Sequence, residues 1–159
     1  IPFCRRKLAM NREELINSHY WEHKTLEEMS DDEWELLCDG CGHCCLTKLI
    51  DEDTDELIYT NVACNLLDLE SCSCSNYMNR HTFEPDCIKL DAHLARTLPW
   101  LPPTCAYRRV AERKPLPFWH PLLAGDKRKM NRYAKSVKGK VVHEKDRGDW
   151  EEHIVVWKL

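Results

Sequence analysis

The chain has 159 residues, and no apolar run in it is long enough to cross a bilayer, so a membrane-spanning role is not expected. No secretory signal is visible: Arg5-Arg6-Lys7 is basic, but no hydrophobic stretch follows it. Glycine is scarce, with 5 residues in all, and none of them builds a nucleotide-binding loop. A cofactor-using enzyme acting alone is therefore the least expected class. Internal repeats and low-complexity linkers are also missing, which at this length fits one domain. A net charge of −4 argues against a dedicated nucleic-acid binder. The second half is locally basic, but no aromatic-rich RNA motif accompanies the charge. Hydrophobic residues, at 43%, fall slightly below an ordinary domain, and charged residues, at 31%, slightly above it. A modest core is expected, one that cross-linking by metal would help.

Cysteine is abundant instead, with 10 residues. The run Cys38-Asp39-Gly40-Cys41-Gly42-His43-Cys44-Cys45 is the densest part of the chain, and Cys64, Cys72, Cys74, Cys87 and Cys105 follow it. Two cysteines separated by two residues can turn both sulfurs toward one ion, as in zinc knuckles and iron–sulfur loops. Gly40 and Gly42 suit that turn, because glycine tolerates positive φ and lets backbone N–H groups approach sulfur. Cys44 and Cys45 are adjacent, and neighbouring side chains diverge in most backbone conformations. With no export signal, a reducing cytoplasm is expected, in which thiols stay free for metal rather than pairing as disulfides. Ligands close in sequence cost little chain closure, so the run is expected to supply most of a principal site. The expected set is Cys38, Cys41, one of Cys44 and Cys45, and a later cysteine, Cys87 or Cys105. Cys64 reads equally well as a small buried hydrophobe.

The remaining pattern predicts a small, loop-rich α+β fold: short helices and a few strands held around a cysteine-ligated metal centre. Residues 11–37 read as helical, with capping boxes at Thr25–Glu28 and Ser30–Glu33. Trp21, Leu26, Met29 and Trp34 are expected to cluster. The acidic stretch 51–56 lacks the glycine and distal glutamate of a calcium loop and reads as a solvated turn. Leu57 to Val62 reads as a strand. Residues 64–90 are expected to be poor in regular structure, with Arg80 and Lys89 as cations near the thiols. Helices are expected from Asp91 and from Pro102-Pro103, the second carrying Cys105. An extended apolar segment is predicted over 116–123, with His120 packed inside it. A strand over 136–143 and a short helix from Asp149 complete the prediction. Residues 1–19 read as an N-terminal extension and 20–159 as a single metal-binding domain. Because the chain starts at Ile1 and Met10 is a plausible start, residues 1–9, with Cys4, are expected not to belong to the domain.

Several phrases carry a family resemblance: Lys24-Thr-Leu-Glu-Glu-Met-Ser, Leu37-Cys-Asp-Gly-Cys-Gly-His-Cys-Cys-Leu46, Asp51-Glu-Asp-Thr-Asp-Glu56, Thr60-Asn-Val-Ala-Cys64, Phe83-Glu-Pro-Asp-Cys-Ile-Lys-Leu90, Thr104-Cys-Ala-Tyr-Arg108 and Leu116-Pro-Phe-Trp-His-Pro-Leu-Leu123. With them the chain resembles the YcgN family, a branch of the YkgJ-type CxxCxxCC cysteine-cluster proteins of bacteria. The resemblance runs from about Tyr20 to the end and implies a zinc- or iron-chelating domain. Cys38, Cys41, Cys44 and Cys45 match its signature run, and Cys64, Cys72, Cys74, Cys87 and Cys105 match its later cysteines. A wider relative, the flagellin lysine methylase, carries a similar motif associated with an iron–sulfur cluster. The first expectation is thus an iron–sulfur protein of open physiological role, with all nine of these cysteines as candidate ligands. The alternatives are a structural-zinc module that binds a protein partner, and an enzyme related to iron–sulfur-dependent methylases. No catalytic constellation is identified, and the βαβ setting of a thiol oxidoreductase is missing. Removing residues 1–9 is expected to leave metal content per chain unchanged; a fall in metal in that truncation would move the domain boundary.

Overall fold

The computed structural model describes residues 11–159, so the expectations for residues 1–9 and Cys4 lie outside the described residues. The first helices are short because side chains fix where they begin. Asn11 accepts from the Glu13 N–H at 2.9 Å and opens α1 (Arg12–Ser18). His19, at φ 50°, breaks it and starts α2 (Tyr20–His23). Both predicted capping boxes form. Thr25 N–H donates to Glu28 Oε2 at 2.8 Å before a 3-10 turn, Leu26–Glu28. Ser30 Oγ accepts from Glu33 N–H at 3.2 Å, and Glu33 Oε1 accepts from Ser30 N–H at 3.1 Å. That reciprocal pair opens α3 (Asp31–Leu37), which stops at extended Cys38. The helix thus delivers the chain straight into the cysteine run.

Beyond the run lie two strands. β1 (Leu46–Ile50) pairs antiparallel with β2 (Leu57–Ala63). The acidic stretch between them is a turn, as expected: Asp51 Oδ1 accepts from the Asp53 and Thr54 N–H groups, each at 2.9 Å. β3 (Leu67–Asp68) and β4 (Ser73–Cys74) form a separate minimal hairpin. Short helices follow: α4 (Arg80–Phe83), α5 (Ala92–Thr97) capped by Asp91, α6 (Ala106–Ala111), α7 (Pro121–Ala124) and α8 (Arg128–Arg132). β5 (Val142–His143) joins β2 in parallel. The architecture is the small α+β fold the sequence predicts. Among the described residues no helix is long and apolar enough to cross a membrane.

Five elements differ from expectation. β1 was not foreseen, because Leu-Thr-Lys-Leu-Ile is short and abuts the acidic turn. α6 begins after Cys105 rather than at Pro102: Pro102-Pro103 forms a turn in which Cys105 N–H donates to the Pro102 carbonyl at 2.9 Å. The segment 116–123 is not extended throughout, since Pro121 starts α7. The strand expected over 136–143 shrinks to β5, and the C-terminal helix to a 3-10 turn, Trp150–His153, after which Ile154 bridges to Thr60.

Three apolar clusters hold these pieces. The largest joins Leu15, Tyr20, Trp21, Leu26 and Leu37 to α5 and α6, with Met29 and Trp34 packed against it as expected. A second contains Leu46, Ala63, Leu67, Cys72 and Val137. The third is Cys41 with Trp119 and Met130. Cys105 belongs to the first, so cysteines contribute to all three, and the run crosses between them. Its turns rely on Gly40 at φ 71° and Gly42 at φ 83°. The Cys41 carbonyl accepts from Val137 N–H at 2.9 Å, and Asp39 Oδ1 accepts from Cys41 N–H at 3.0 Å. His120 is the packed histidine expected. Its Nδ1 accepts from Leu122 N–H at 3.0 Å, so its Nε2–H donates to the Leu37 carbonyl at 2.9 Å. That bond ties α7 to the last residue before Cys38.

Two substitutions test this frame. A Cβ at Gly42 would stand 2.6 Å from Val137 Cγ2 in a left-handed conformation, whereas at Gly139 (φ 75°) it would meet nothing within 4 Å. Gly139→Ala is expected to cost about 1–2 kcal/mol, and Gly42→Ala at least about 2 kcal/mol, since overpacking adds to the backbone strain. Equal losses in denaturant melts would show that Val137 does not confine the turn. His120→Ala should cost about 2–4 kcal/mol at pH 7.5, from the cavity and the unpaired carbonyl. Burial also holds the His120 pKa below its ordinary value. Its contribution is therefore full above the unfolded pKa of about 6.5 and declines as pH falls below it. The stability gap between wild type and His120→Ala should narrow from pH 7.5 to pH 5.5; a gap that widens on acidification would reverse the sign argued here.

Candidate metal centre

Helix α3, the turns at Gly40 and Gly42, and the start of α6 converge on a small cavity of about 30 Å³. Cys38, Cys41, Cys44 and Cys105 line it, together with Asp39 and Tyr107. Cys45, Cys72 and Cys74 reach its wall as well. Tyr107 closes one side: its hydroxyl donates to the Trp34 carbonyl at 2.7 Å, which fixes α6 against α3. A second cavity of about 340 Å³ adjoins the first through Cys44, Cys45 and Cys74, and adds Cys64 and Cys87. No disulfide joins any two of the nine described cysteines. The expected set of Cys38, Cys41, a member of the Cys44–Cys45 pair, and a later cysteine is thus brought to one cavity. The later cysteine there is Cys105, while Cys87 stands in the second.

Burial raises the pKa of Cys41, Cys44 and Cys105, and neighbouring thiols add to it. Cys41 is pushed up by desolvation, then by Asp39, Cys44 and Cys38. Cys44 is raised by burial and by Cys38, and Cys105 by burial, Cys44 and Cys38. Cys45 is pushed up to about 12 by burial, with Cys44, Cys64 and Cys87 among its neighbours. Cys64 and Cys87 are likewise raised by burial, and each feels Cys74. Cys72 is different: it sits at φ 54° among Leu46, Ala63, Leu67 and Val137, and the nearby Lys127 and Ser136 partly offset the effect of its burial. Left alone, such thiols keep their protons. A metal cation replaces those protons, because the ligand is the thiolate.

The polar groups around the cavities fit that exchange. Asp39 Oδ2 is buried and has no hydrogen-bond partner. Lys48, on β1, is a half-buried cation whose pKa burial lowers and Cys44, Cys45 and Cys41 support. Its Nζ donates to the His43 carbonyl at 2.6 Å and lies 4.3 Å from the centre of the Trp100 ring. Arg80 lines the second cavity, where it draws the Cys87 pKa down against burial. Lys89 instead lines a neighbouring hollow with Cys38, Cys44 and Tyr77. Sequence reasoning found Arg80 but missed Lys48 and Asp39. The missing signal for Lys48 was β1 itself, whose alternation sets Leu46 and Lys48 on one face. His43 is buried, its pKa is held down at about 4 by desolvation, and its Nε2 bonds the Lys135 carbonyl at 3.3 Å. Among the described residues no group of three or more His, Cys, Asp or Glu side chains is placed to hold a single metal ion. The thiols surround cavities; they do not close on a point.

Comparison with known proteins places the cysteine run in a described family. A family model described as "Putative zinc- or iron-chelating domain", CxxCxxCC, matches residues 37–106, from the end of α3 to the start of α6. A UPF0260 protein of Proteus mirabilis is 59% identical over 86% of this chain and 92% of its own length. The UPF0260 protein YcgN of Shigella boydii is 56% identical over 90% of this chain and 94% of its own length. A UPF0260 protein of Vibrio parahaemolyticus is 54% identical over 88% of this chain and 96% of its own. No solved structure matches the chain. With its signature thiols gathered around one cavity and relatives this similar along most of its length, the chain belongs to the UPF0260 (YcgN) family of cysteine-cluster proteins.

Proposed function

We propose that this is an iron–sulfur protein whose principal centre is held by Cys38, Cys41, Cys44 and Cys105. The observation that carries the reading is the number of thiols gathered together. Seven line the first cavity, and Cys64 and Cys87 stand in the adjoining one, more than the four that one structural zinc takes. A cluster, too, is held by cysteine thiolates. An iron–sulfur cluster would supply one-electron chemistry or a structural anchor at this position. The chain's own residues do the rest. Gly40 and Gly42 let the run bend around the site, and Tyr107 and the apolar clusters keep water from it. Lys48 places a half-buried positive charge beside three of the run's thiols, which offsets the negative charge of a thiolate-ligated centre. Nine described thiols with no disulfide among them suit a reducing compartment, and we assign the protein to the cytoplasm on that basis.

The test is anaerobic purification with analysis of iron, acid-labile sulfide and zinc. Iron with matching sulfide, visible absorption, and loss of both in Cys41→Ser are the expected results. A colourless protein with stoichiometric zinc and no sulfide would replace this reading with the structural-zinc one. Verified removal of the metal should also lower the melting temperature sharply, since ligand deprotonation and metal binding are coupled to folding.

A further inference from the structure

We propose that the chain holds a second thiolate-ligated metal centre beside the first, with Cys45, Cys64, Cys74 and Cys87 as its ligands. The ligand class is a thiophilic metal, as an iron–sulfur cluster or a zinc ion, both of which take four thiolates. The inference rests on the reading that the first cavity is a metal centre, and it adds a site in a different cavity with different ligands.

Four separate pieces of chain deliver these thiols to the cavity of about 340 Å³. Cys45 ends the turn of the run. The β1–β2 hairpin then returns Cys64 to its side, where Cys64 N–H donates to the Cys45 carbonyl at 2.8 Å. The β3–β4 hairpin folds Cys74 back opposite Leu67, with Ser75 N–H on the Leu66 carbonyl at 2.7 Å. Cys87 arrives after α4, with its N–H on the Glu84 carbonyl at 3.0 Å. The second of these hairpins is minimal, with strands of two residues each, of which only Leu67 is buried. It is the arrangement that metal ligation stabilises in small domains.

Two further observations point to an anionic occupant. Arg80 lines this cavity, stacks on the Tyr77 ring at 4.0 Å, and its buried Nε has no hydrogen-bond partner among the described residues. A thiolate-bound metal carries net negative charge and accepts such a donor. Leu66 N–H also points at Cys64 Sγ, at 3.5 Å, the backbone contact that ligating sulfurs receive. Glu84, Asp86 and Glu144 line the cavity too, so the cation at Arg80 has a balancing task there. Cys44 and Cys45 both line both cavities, whereas Cys38, Cys41 and Cys105 line only the first of the two, and Cys64 and Cys87 only the second. The doublet at the end of the CxxCxxCC run thus stands in the shared wall, with one thiol available to each cavity. Cys72 reaches the wall of the first cavity but is packed in the second apolar cluster, and we leave it out of both ligand sets.

The wild-type chain gives the first test. In the anaerobically purified protein, cysteines are alkylated under native conditions, located by peptide mass spectrometry, and compared before and after metal removal. Cys64, Cys74 and Cys87 are only partly buried, so as free thiols they would react. Protection of all three until the metal is removed is the expected result. Rapid alkylation of the three with metal content unchanged would overturn the second centre and leave the first intact. Metal and sulfide analysis of two double variants gives the second test. Cys64→Ser/Cys87→Ser and Cys38→Ser/Cys105→Ser should each lose about half of the wild-type metal and keep a different spectroscopic half. Full retention in Cys64→Ser/Cys87→Ser would refute the second site. If both variants lose all metal through misfolding, the alkylation pattern of the wild type decides. A wild-type chain with no bound metal would sink the proposed function itself, a separate failure.

Discussion

Everything in this fold depends on how closely packed thiols meet the cost of losing their protons. A thiolate in an apolar wall is expensive, and a second thiolate beside it more so. Cys41, Cys44 and Cys105 each carry both penalties, which hold their protons on at neutral pH. Only a cation brought with the deprotonation reverses that balance. The structure supplies some positive charge of its own. Lys48 is kept half-buried against its own desolvation, and the nearby thiols support its charge. One lysine cannot offset four thiolates, and Asp39 works against it. The arrangement is therefore stable as protonated thiols or as a metal centre, with little between.

The apolar clusters matter because they aim these thiols. α3 stops at Cys38 because its last carbonyls are taken up from outside. The Leu37 carbonyl receives His120 Nε2–H, the Trp34 carbonyl the Tyr107 hydroxyl, and the Glu33 carbonyl the Tyr20 hydroxyl. Three buried side chains from three other segments thus anchor the helix that leads into the run. In return, α6 gains a fixed start, which places Cys105 at its N-terminal edge facing the run. The first site is accordingly built on the better-packed half of the molecule. The second cavity is walled by the β1–β2 and β3–β4 hairpins and by the segment around α4, and Leu46, Ala63 and Leu67 anchor the hairpins in the second apolar cluster.

Local chemistry made much of this legible in the sequence. Ser30 with Glu33, and Thr25 with Glu28, announce helix starts because the bonds involved span three residues. Asp91 does the same for α5. Leu57–Val62 is β-branched and aromatic enough to read as a strand alone. β1 was not legible, because Leu46 to Ile50 acquires its strand character from pairing with β2, a tertiary event. The same omission hid Lys48, whose role needs the strand that carries it. Pro102-Pro103 suggested a helix start, yet the turn it forms puts Cys105 at the cap and not inside the helix. The strand expected over 136–143 failed because Val137 is spent on the second cluster and on the Cys41 carbonyl, leaving only Val142 and His143 to pair. The cysteine spacing indicated metal, but it could not sort later thiols between cavities, since hairpin return paths decide that.

The sorting bears on why nine thiols are present when one centre uses four. Had the surplus been inert core, these cysteines would sit as small hydrophobes in the apolar clusters, as Cys72 does. Cys64, Cys74 and Cys87 do not, and Cys45 is only partly buried against one; all four are partly exposed and line a cavity that also receives Arg80. Partly exposed free thiols are an oxidation liability. Ligation removes that liability and gives the hairpins a fixed point. Cys44 and Cys45 would then stand in the wall between two centres, and that shared wall makes a charge on one felt by the other. Two centres in adjoining cavities would titrate and reduce as a coupled pair, with Lys48 beside Cys44 and Cys45 positioned to act on both.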